Sequence, residues 1–272
     1  MEKILIIGKG LLGSEIEKQA LDNNLDVKIK KNITSQDNNI IPENTDTVII
    51  VAQSSDYKEN KITENLFWVN TCLPQIIIRE ALEKNVKNFV YCSTGSVYDE
   101  SISPHLEDES ISLFNKSPYI TSKKAAEILI YPWIEKFERF IILRPFFIYG
   151  SKQRKEMLIS KMFSAVETNG KITLSDSEGL IFNPIHVIDA ARFTLESIDK
   201  KTGYDIYNLA GNETTSLYHI VDKISKLLKK SANIENVEGK KPTVTGSIKK
   251  MVSTGFKFEI NLEKGLKECL NK

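Results

Sequence analysis

The sequence predicts an α/β fold: a doubly wound parallel sheet followed by a small C-terminal α/β lobe. Three observations predict it. Strand-like apolar runs alternate with helix-like segments through the first two thirds of the chain. The first of those runs leads directly into Gly8-Lys9-Gly10-Leu11-Leu12-Gly13 and a helical stretch. After Gly150 the alternation gives way to longer helical stretches with short runs between them. A parallel sheet covered by helices on both faces produces this kind of alternation.

Each element follows from its residues. Lys3–Ile7 is apolar enough for a buried strand, and Leu11–Asn23 opens a helix behind the glycines. Leu25–Lys31, Thr47–Ala52, Phe89–Ser93 and Phe140–Leu143 read as further strands. Helices are predicted over Pro74–Lys84 and Tyr119–Phe137. Pro74 suits a first helical turn, where a missing N–H costs little. The stretch Asn32–Asp46 is short for a strand–helix unit, so one unit is expected to be reduced or missing there. Beyond Gly150, helical stretches at Lys155–Glu167 and Leu217–Lys230 are separated by Ile172–Leu174, Asp189–Ile198 and Tyr204–Leu209, and Leu262–Leu270 reads as a last helix.

Composition narrows the function classes. The chain has 272 residues, 41% hydrophobic and 27% charged, which are ordinary globular values. A formal net charge of +1 gives no electrostatic case for nucleic acid or an anionic membrane surface. No run of about 18 apolar residues is present, and the N-terminus lacks a signal-peptide layout. Cys72, Cys92 and Cys269 are far apart and show no metal spacing, so a cytoplasmic protein with reduced thiols and no metal site is expected.

The glycine cluster sits after a strand and opens a helix, the context that the Gly-x-Gly-x-x-Gly dinucleotide fingerprint requires. Gly8 permits the tight turn, Gly10 lets the backbone approach a pyrophosphate, and Gly13 allows close helix–strand packing. Leu11 and Leu12 begin the helix whose free N–H groups and dipole would meet the phosphates. An acidic residue about 20 positions later usually receives the ribose hydroxyls in NAD binders. Here the second strand ends in Lys30 and Lys31. They would pair with the 2′-phosphate of NADP, or form a solvated basic turn.

Pro118-Tyr119-Ile120-Thr121-Ser122-Lys123 places a tyrosine and a lysine on one helix face. A phenol ionises near pH 10, and a neighbouring ammonium would lower that value. Tyr119 would then exchange a proton with a substrate hydroxyl or carbonyl. Upstream, Ser93, Thr94 and Ser96 follow a buried strand, at the end of a sheet where ligands bind. A hydroxyl there would stabilise charge on a reacting oxygen, or satisfy its own turn.

Together these blocks resemble the extended short-chain dehydrogenases, the NAD-dependent epimerase/dehydratase family. Val90–Tyr98 is similar to the family's strand ending in Ser-Ser/Thr-x-x-Val-Tyr, and Pro118–Glu127 to its Pro-Tyr-x-x-Ser-Lys-x-x-x-Glu. Leu143–Gly150 resembles Leu-Arg-Pro-Phe-x-x-Tyr-Gly, Pro184–Asp189 resembles Phe-Ile-His-Val-x-Asp, and Trp68–Thr71 resembles the helix start that carries the family's Asn. The resemblance implies a Rossmann-type fold with residues 1–150 binding the dinucleotide and 186–210 returning to that domain. Residues 151–185 and 211–272 would form a substrate lobe. Thr94, Tyr119 and Lys123 would be catalytic. Ser93, Ala52, Asn70, Pro145, Tyr119 and Lys123 would line the NAD or NADP site, with Asn70 also ordering the active-site helix and Lys123 holding the nicotinamide ribose. His186 and Asp189 would be structural. The substrate would lie against Ser96, Phe146, Phe147, Asn183 and Arg154. A homodimer is expected through the apolar residues of Ala125–Trp133 and Leu73–Leu82.

Relatives often act on nucleotide-sugars, and two positions here depart from them. Phe147 stands where an Asn is common, and Phe182 where an Arg often grips the diphosphate. The Thr-Asp-Glu signature of the 4,6-dehydratases reads Thr94-Gly95-Ser96. Lys30 and Lys31 point to exchangeable NADPH, so the favoured expectation is reduction of a sugar ketone, most simply a nucleotide-activated 4-keto-sugar. The alternatives are a nucleotide-sugar epimerase with non-dissociating NAD, and a catalytically silent dinucleotide-binding protein.

Overall fold

The computed structural model describes residues 2–58, 61–98, 101, 103–111, 117–199 and 202–270. The chain forms two compact units. The first comprises Met1–Asp99, Glu107–Pro145 and Ala191–Asn208; the second comprises Glu100–Leu106, Phe146–Ala190 and Leu209–Lys272.

The first unit is built on β1 (Lys3–Ile7), α1 (Leu11–Asp22), β2 (Asp26–Lys30) and β3 (Thr47–Ile50). They are followed by α2 (Glu64–Phe67), a π-helical turn at Trp68–Cys72, α3 (Leu73–Glu83), β4 (Asn88–Cys92), α4 (Pro118–Ile130) and β5 (Arg139–Pro145). The six-stranded sheet has the order Gly203–Leu209, β5, β4, β3, β1, β2. The pairs β1·β2, β1·β3, β3·β4 and β4·β5 are parallel. Alternate residues of these strands, among them Leu5, Ile7, Val48, Ile50, Phe89 and Tyr91, are buried with Ile77 and Ala81 of α3 and Ala126 and Ile130 of α4. The fold is therefore the Rossmann-like parallel sheet with flanking helices that the sequence predicts.

The short stretch after β2 also behaves as its length predicts. Residues 31–46 contain neither helix nor strand, so β2 is left at the sheet edge and β3 pairs directly with β1. The segment is pinned instead by α3: the Glu80 carboxylate accepts from the backbone N–H groups of Ile40 at 3.0 Å and Ile41 at 2.7 Å.

Two helices differ from expectation. The predicted helix over Tyr119–Phe137 ends as an α-helix at Ile130 and continues as a 3₁₀ turn over Tyr131–Lys136. Pro132 explains the change, because it has no N–H to donate and its ring crowds the preceding turn. The helix containing Pro74 is longer than expected, since α2 and the π turn lead into it. That π turn buries Asn70 and Thr71.

In the second unit, helices Leu158–Glu167, Leu217–Leu228 and Leu262–Leu270 enclose a core that includes Ile159, Leu174, Phe182, Ile220, Ile224 and Leu266. The run Asp189–Ile198 falls within the helix Val187–Asp199. Lys171–Ser175 pairs in parallel with Asn233–Val237, a polar and largely exposed strand with no apolar signal in the sequence. His105 is bound into this unit. Its N–H donates to Thr245 O at 2.9 Å and its carbonyl accepts from Ser247 N at 2.8 Å. Among the described residues, no helix is long and apolar enough to cross a membrane.

Candidate active site

Three glycines shape the turn between β1 and α1, each for a different physical reason. Gly8 has φ +112°, a conformation disfavoured for side-chain-bearing residues, and a Cβ there would lie 2.6 Å from Ala52 N. A Cβ on Gly13 would lie 1.9 Å from Gly8 O, so α1 packs against the turn only because that Cβ is missing. Gly10 is different. Its backbone is ordinary, at φ −90°, and a Cβ there would meet nothing within 4 Å. Nothing among the described residues calls for glycine at position 10. The open space lies at the N-terminus of α1, where no side chain caps the first N–H groups, those of Leu11 and Leu12 included. Such a terminus attracts an anion. The residues present therefore fit a dinucleotide pyrophosphate.

Gly8 N donates to Lys30 O at 2.9 Å, which sets the end of β2 beside this turn. A cleft of about 360 Å³ opens there, lined by Lys30, Lys31 and Asn32 and by Asp37 and Asn38. Asp37 escaped the sequence reading. Its carboxyl is held below the usual range, first by the Thr34 N–H at 2.6 Å, then by the Thr34 hydroxyl at 2.8 Å, with the Lys30 ammonium nearby.

The second cluster sits where β4 ends and α4 begins. Ser117 caps α4 by accepting from Ile120 N at 3.4 Å, and Pro118 follows in the first turn. The cap starts the helix one residue before Tyr119. The Thr94 hydroxyl accepts from Ser96 N at 3.2 Å, capping the 3₁₀ turn Gly95–Val97, and is hydrogen-bonded to the Tyr119 phenol. The two sequence blocks are thereby brought into contact.

The expected effect of Lys123 on Tyr119 is overturned. The Tyr119 pKa is raised, not lowered, to about 12. Burial of the hydroxyl is the main cause, and the Thr94 hydrogen bond opposes it in part. The residue as a whole keeps an open side, being only half-buried. Lys123 is 2% exposed; its ammonium donates to Cys92 O at 2.9 Å and lies 5.1 Å from the centroid of the Tyr91 ring. Its ammonium is committed to the end of β4, and burial pulls its own pKa down.

Asn70 ties loop to helix. It is fully buried; its Oδ1 accepts from Ser54 N at 3.0 Å and its Nδ2 donates to Ser122 Oγ at 3.0 Å. Thr71 Oγ1 adds a bond to Ser122 O at 3.1 Å. Both ends of the Asn70 amide are thus engaged in ordering α4. Ser93 is buried at the end of β4, its N–H donating to Leu143 O at 2.7 Å and its hydroxyl without a partner among the described residues. Ala52 and Pro145 are half-buried just past β3 and at the end of β5, and Ser96 is exposed on its turn.

The substrate set in the second unit fares less evenly. Phe146 is 1% exposed, with its ring against His105 and Gly246, so it is core. Asn183 is buried, its Nδ2 donating to Gly246 O at 2.8 Å and its Oδ1 accepting from Gly246 N at 3.1 Å; it holds loops together. Arg154 is exposed. Phe147 is half-buried with φ +53°, a strained value for a bulky residue, and meets buried Phe182 edge-on with centroids 4.9 Å apart. The two departures from the family pattern therefore pack against each other. His186 contacts Tyr149, and Asp189 accepts from Glu259 N and Ile260 N at 3.0 Å each, both structural arrangements. Among the described residues, no group of three or more His, Cys, Asp or Glu could hold a metal ion.

Known proteins resemble this chain in sequence and in fold. The chain is 26% identical to mouse dTDP-D-glucose 4,6-dehydratase over 75% of its length, and 29% identical to UDP-glucuronate 4-epimerase of Thermodesulfobacterium geofontis over 68%. It spans only 60% and 59% of those two proteins. The fold is similar to that of UDP-glucuronic acid 4-epimerase from Bacillus cereus, solved with UDP-glucuronic acid and NAD: TM-score 0.83, 20% identity, covering 99% of this chain and 98% of that one. Residues 4–210, which carry the glycine turn, Thr94, Tyr119 and Lys123, match the family described as NAD dependent epimerase/dehydratase, and the chain belongs to it.

Proposed function

We propose that this chain is an NAD(P)H-dependent reductase of a sugar ketone, most simply a nucleotide-activated 4-keto-sugar. One observation carries the reading: the half-buried phenol of Tyr119 meets the Thr94 hydroxyl where β4 ends, so acid and oxygen-orienting group stand together. Burial holds this phenol in its protonated form at neutral pH, so it has a proton to give to a carbonyl oxygen. The bound dinucleotide supplies the hydride. The Gly8–Gly13 turn and the first N–H groups of α1 hold the pyrophosphate. Thr94 orients the carbonyl oxygen, and Tyr119 gives it a proton as the hydroxyl forms. The turn Gly95–Val97 offers no carboxylate for the acid–base work of an elimination. The sugar-nucleotide class is supported by the relatives, a dTDP-D-glucose 4,6-dehydratase and a UDP-glucuronate 4-epimerase. The test is a panel of 4-keto nucleotide-sugars offered with reduced and oxidised cofactor.

A second reading, an epimerase that retains NAD, is favoured by the UDP-glucuronate 4-epimerase relative and by Asp37 in the cleft beside Lys30. Dinucleotide that copurifies and survives gel filtration would support it.

Three results are expected. Gly10→Val should fold normally, since nothing lies within 4 Å of the added Cβ, yet bind dinucleotide on the order of tenfold more weakly or worse, a loss of about 1.4 kcal/mol or more. Calorimetric titration showing unchanged affinity would remove the phosphate assignment. If Lys30 and Lys31 meet a 2′-phosphate, replacing both with Ala should weaken NADPH and spare NADH, and the preference should shrink as salt rises. Equal effects on both cofactors would mean a solvated turn. Finally, Ile128, Leu129, Tyr131 and Trp133 are 54%, 47%, 63% and 40% exposed, which supports a homodimer through this end of α4. Light scattering should give twice the 30.9 kDa chain mass, and a monomer at micromolar concentration would contradict it.

A further inference from the structure

Tyr57 belongs to none of the sequence blocks, yet it touches the residue on which the site turns. Its ring meets that of Tyr119 edge to face, with centroids 6.1 Å apart and planes at 68°. The loop that carries it is built rather than loose. The Asp56 carboxylate accepts from Thr63 Oγ1 at 2.6 Å and from Ser55 Oγ at 2.9 Å. Ser54 Oγ accepts from Asp56 N at 3.1 Å and from Asn65 Nδ2 at 2.9 Å. From Ser54 N the bonds run to Asn70, from Asn70 to Ser122, and from Ser122 Oγ to Tyr119 O at 2.7 Å. A continuous chain of hydrogen bonds thus connects the backbone beneath Tyr57 to the backbone of Tyr119. Loop and helix are set as one piece, with the two rings in contact on top of it.

We propose that Tyr57 is a positioning residue for Tyr119: its ring fixes the orientation of the Tyr119 phenol and keeps bulk water from the hydroxyl. The proposal rests on Tyr119 being the acid of the site. Tyr119 is faced by Tyr91 and Cys92 of β4, by Thr94 and by Tyr57, while the ammonium of Lys123 on its own helix is turned to Cys92 O. Of these, Thr94 favours the phenolate, while Cys92 and Tyr57 oppose it; burial, the largest cause, also opposes it. Removing the Tyr57 ring admits water to the Tyr119 hydroxyl, which eases the burial that is the largest cause.

The test compares Tyr57→Ala, which removes the ring, with Tyr57→Phe, which keeps it. Ultraviolet titration of the protein without substrate, taken as the difference between each protein and its Tyr119→Phe counterpart, isolates the Tyr119 phenol. In wild type and Tyr57→Phe this phenol should stay largely protonated up to about pH 11, while in Tyr57→Ala it should ionise near the ordinary value of about 10. Turnover of a 4-keto nucleotide-sugar should fall in Tyr57→Ala and be restored in Tyr57→Phe, with dinucleotide KM unchanged in both. Tyr57→Leu serves where Tyr57→Ala fails to fold by circular dichroism. A wild-type titration in a folded ring-deleted protein overturns the proposal. Wild-type turnover in Tyr119→Phe would instead overturn the acid role, and the two failures are read from separate measurements.

Discussion

Tyr119→Phe is expected to lower turnover by roughly 10²–10⁴-fold while leaving the fold intact. That loss corresponds to about 3–5 kcal/mol of transition-state stabilisation at 1.36 kcal/mol per tenfold. The variant removes one oxygen. Thr94 keeps its bond from Ser96 N, and Lys123 keeps Cys92 O, so neither neighbour loses its anchor. Dinucleotide binding should therefore survive. Because the neutral phenol is the active form, the rate should be flat through neutral pH as far as this group is concerned, and should fall as pH rises toward its pKa of about 12. Lys123→Met should harm both turnover and cofactor affinity, since it removes the ammonium that would hold the nicotinamide ribose and frees the Cys92 carbonyl. A folded Tyr119→Phe protein with wild-type turnover would put the silent dinucleotide-binding reading first.

The largest stability effect is expected at Glu127. Its carboxylate binds the Arg144 guanidinium in two places, Oε2 at 2.7 Å from Nη2 and Oε1 at 3.2 Å from Nε. The two side chains are 7% and 3% exposed. Arg144 also donates to Tyr98 OH at 2.8 Å with its guanidinium over the Tyr98 ring, and Tyr98 OH donates to Asn208 Oδ1 at 2.7 Å. Glu127→Ala leaves a guanidinium buried without its counter-ion, and burial cannot neutralise an arginine. Breaking such a pair from one side costs about 3–5 kcal/mol, against the 5–15 kcal/mol that typically holds a domain together. Denaturant unfolding should register a loss of that size, and Glu127→Gln should lose less. A loss below about 1 kcal/mol would mean that water satisfies Arg144. Tyr98 lies four residues after Thr94, and Glu127 four after Lys123, so the network braces both site-bearing segments.

What could be read from the sequence was local. The glycine turn is dictated by backbone geometry within six residues, and Ser117-Pro118 announces the start of α4. The missing strand–helix unit showed as the shortness of Asn32–Asp46. The Tyr119–Lys123 spacing was legible too, but its electrostatics were not. Whether the ammonium meets the phenol or the Cys92 carbonyl depends on where β4 ends beneath the helix. Tyr57 and Asp37 left no signal, because tertiary folding alone brings their loops to the site. Phe146 and Asn183 misled for the opposite reason: a position beside a recognisable block says nothing about whether the side chain turns inward. Ser122 stood inside a quoted block, and only its bond to Asn70 shows why it matters.

The central claim is that hydride passes to a sugar carbonyl with Tyr119 supplying the proton. The most direct measurement uses reduced dinucleotide deuterated at the transferable position of its nicotinamide, with a 4-keto nucleotide-sugar. Proton NMR of the product should show deuterium at the new carbinol carbon, with one dinucleotide consumed per sugar, and Tyr119→Phe should suppress both. A product that lacks the label, formed with no net loss of reduced dinucleotide, would contradict the account.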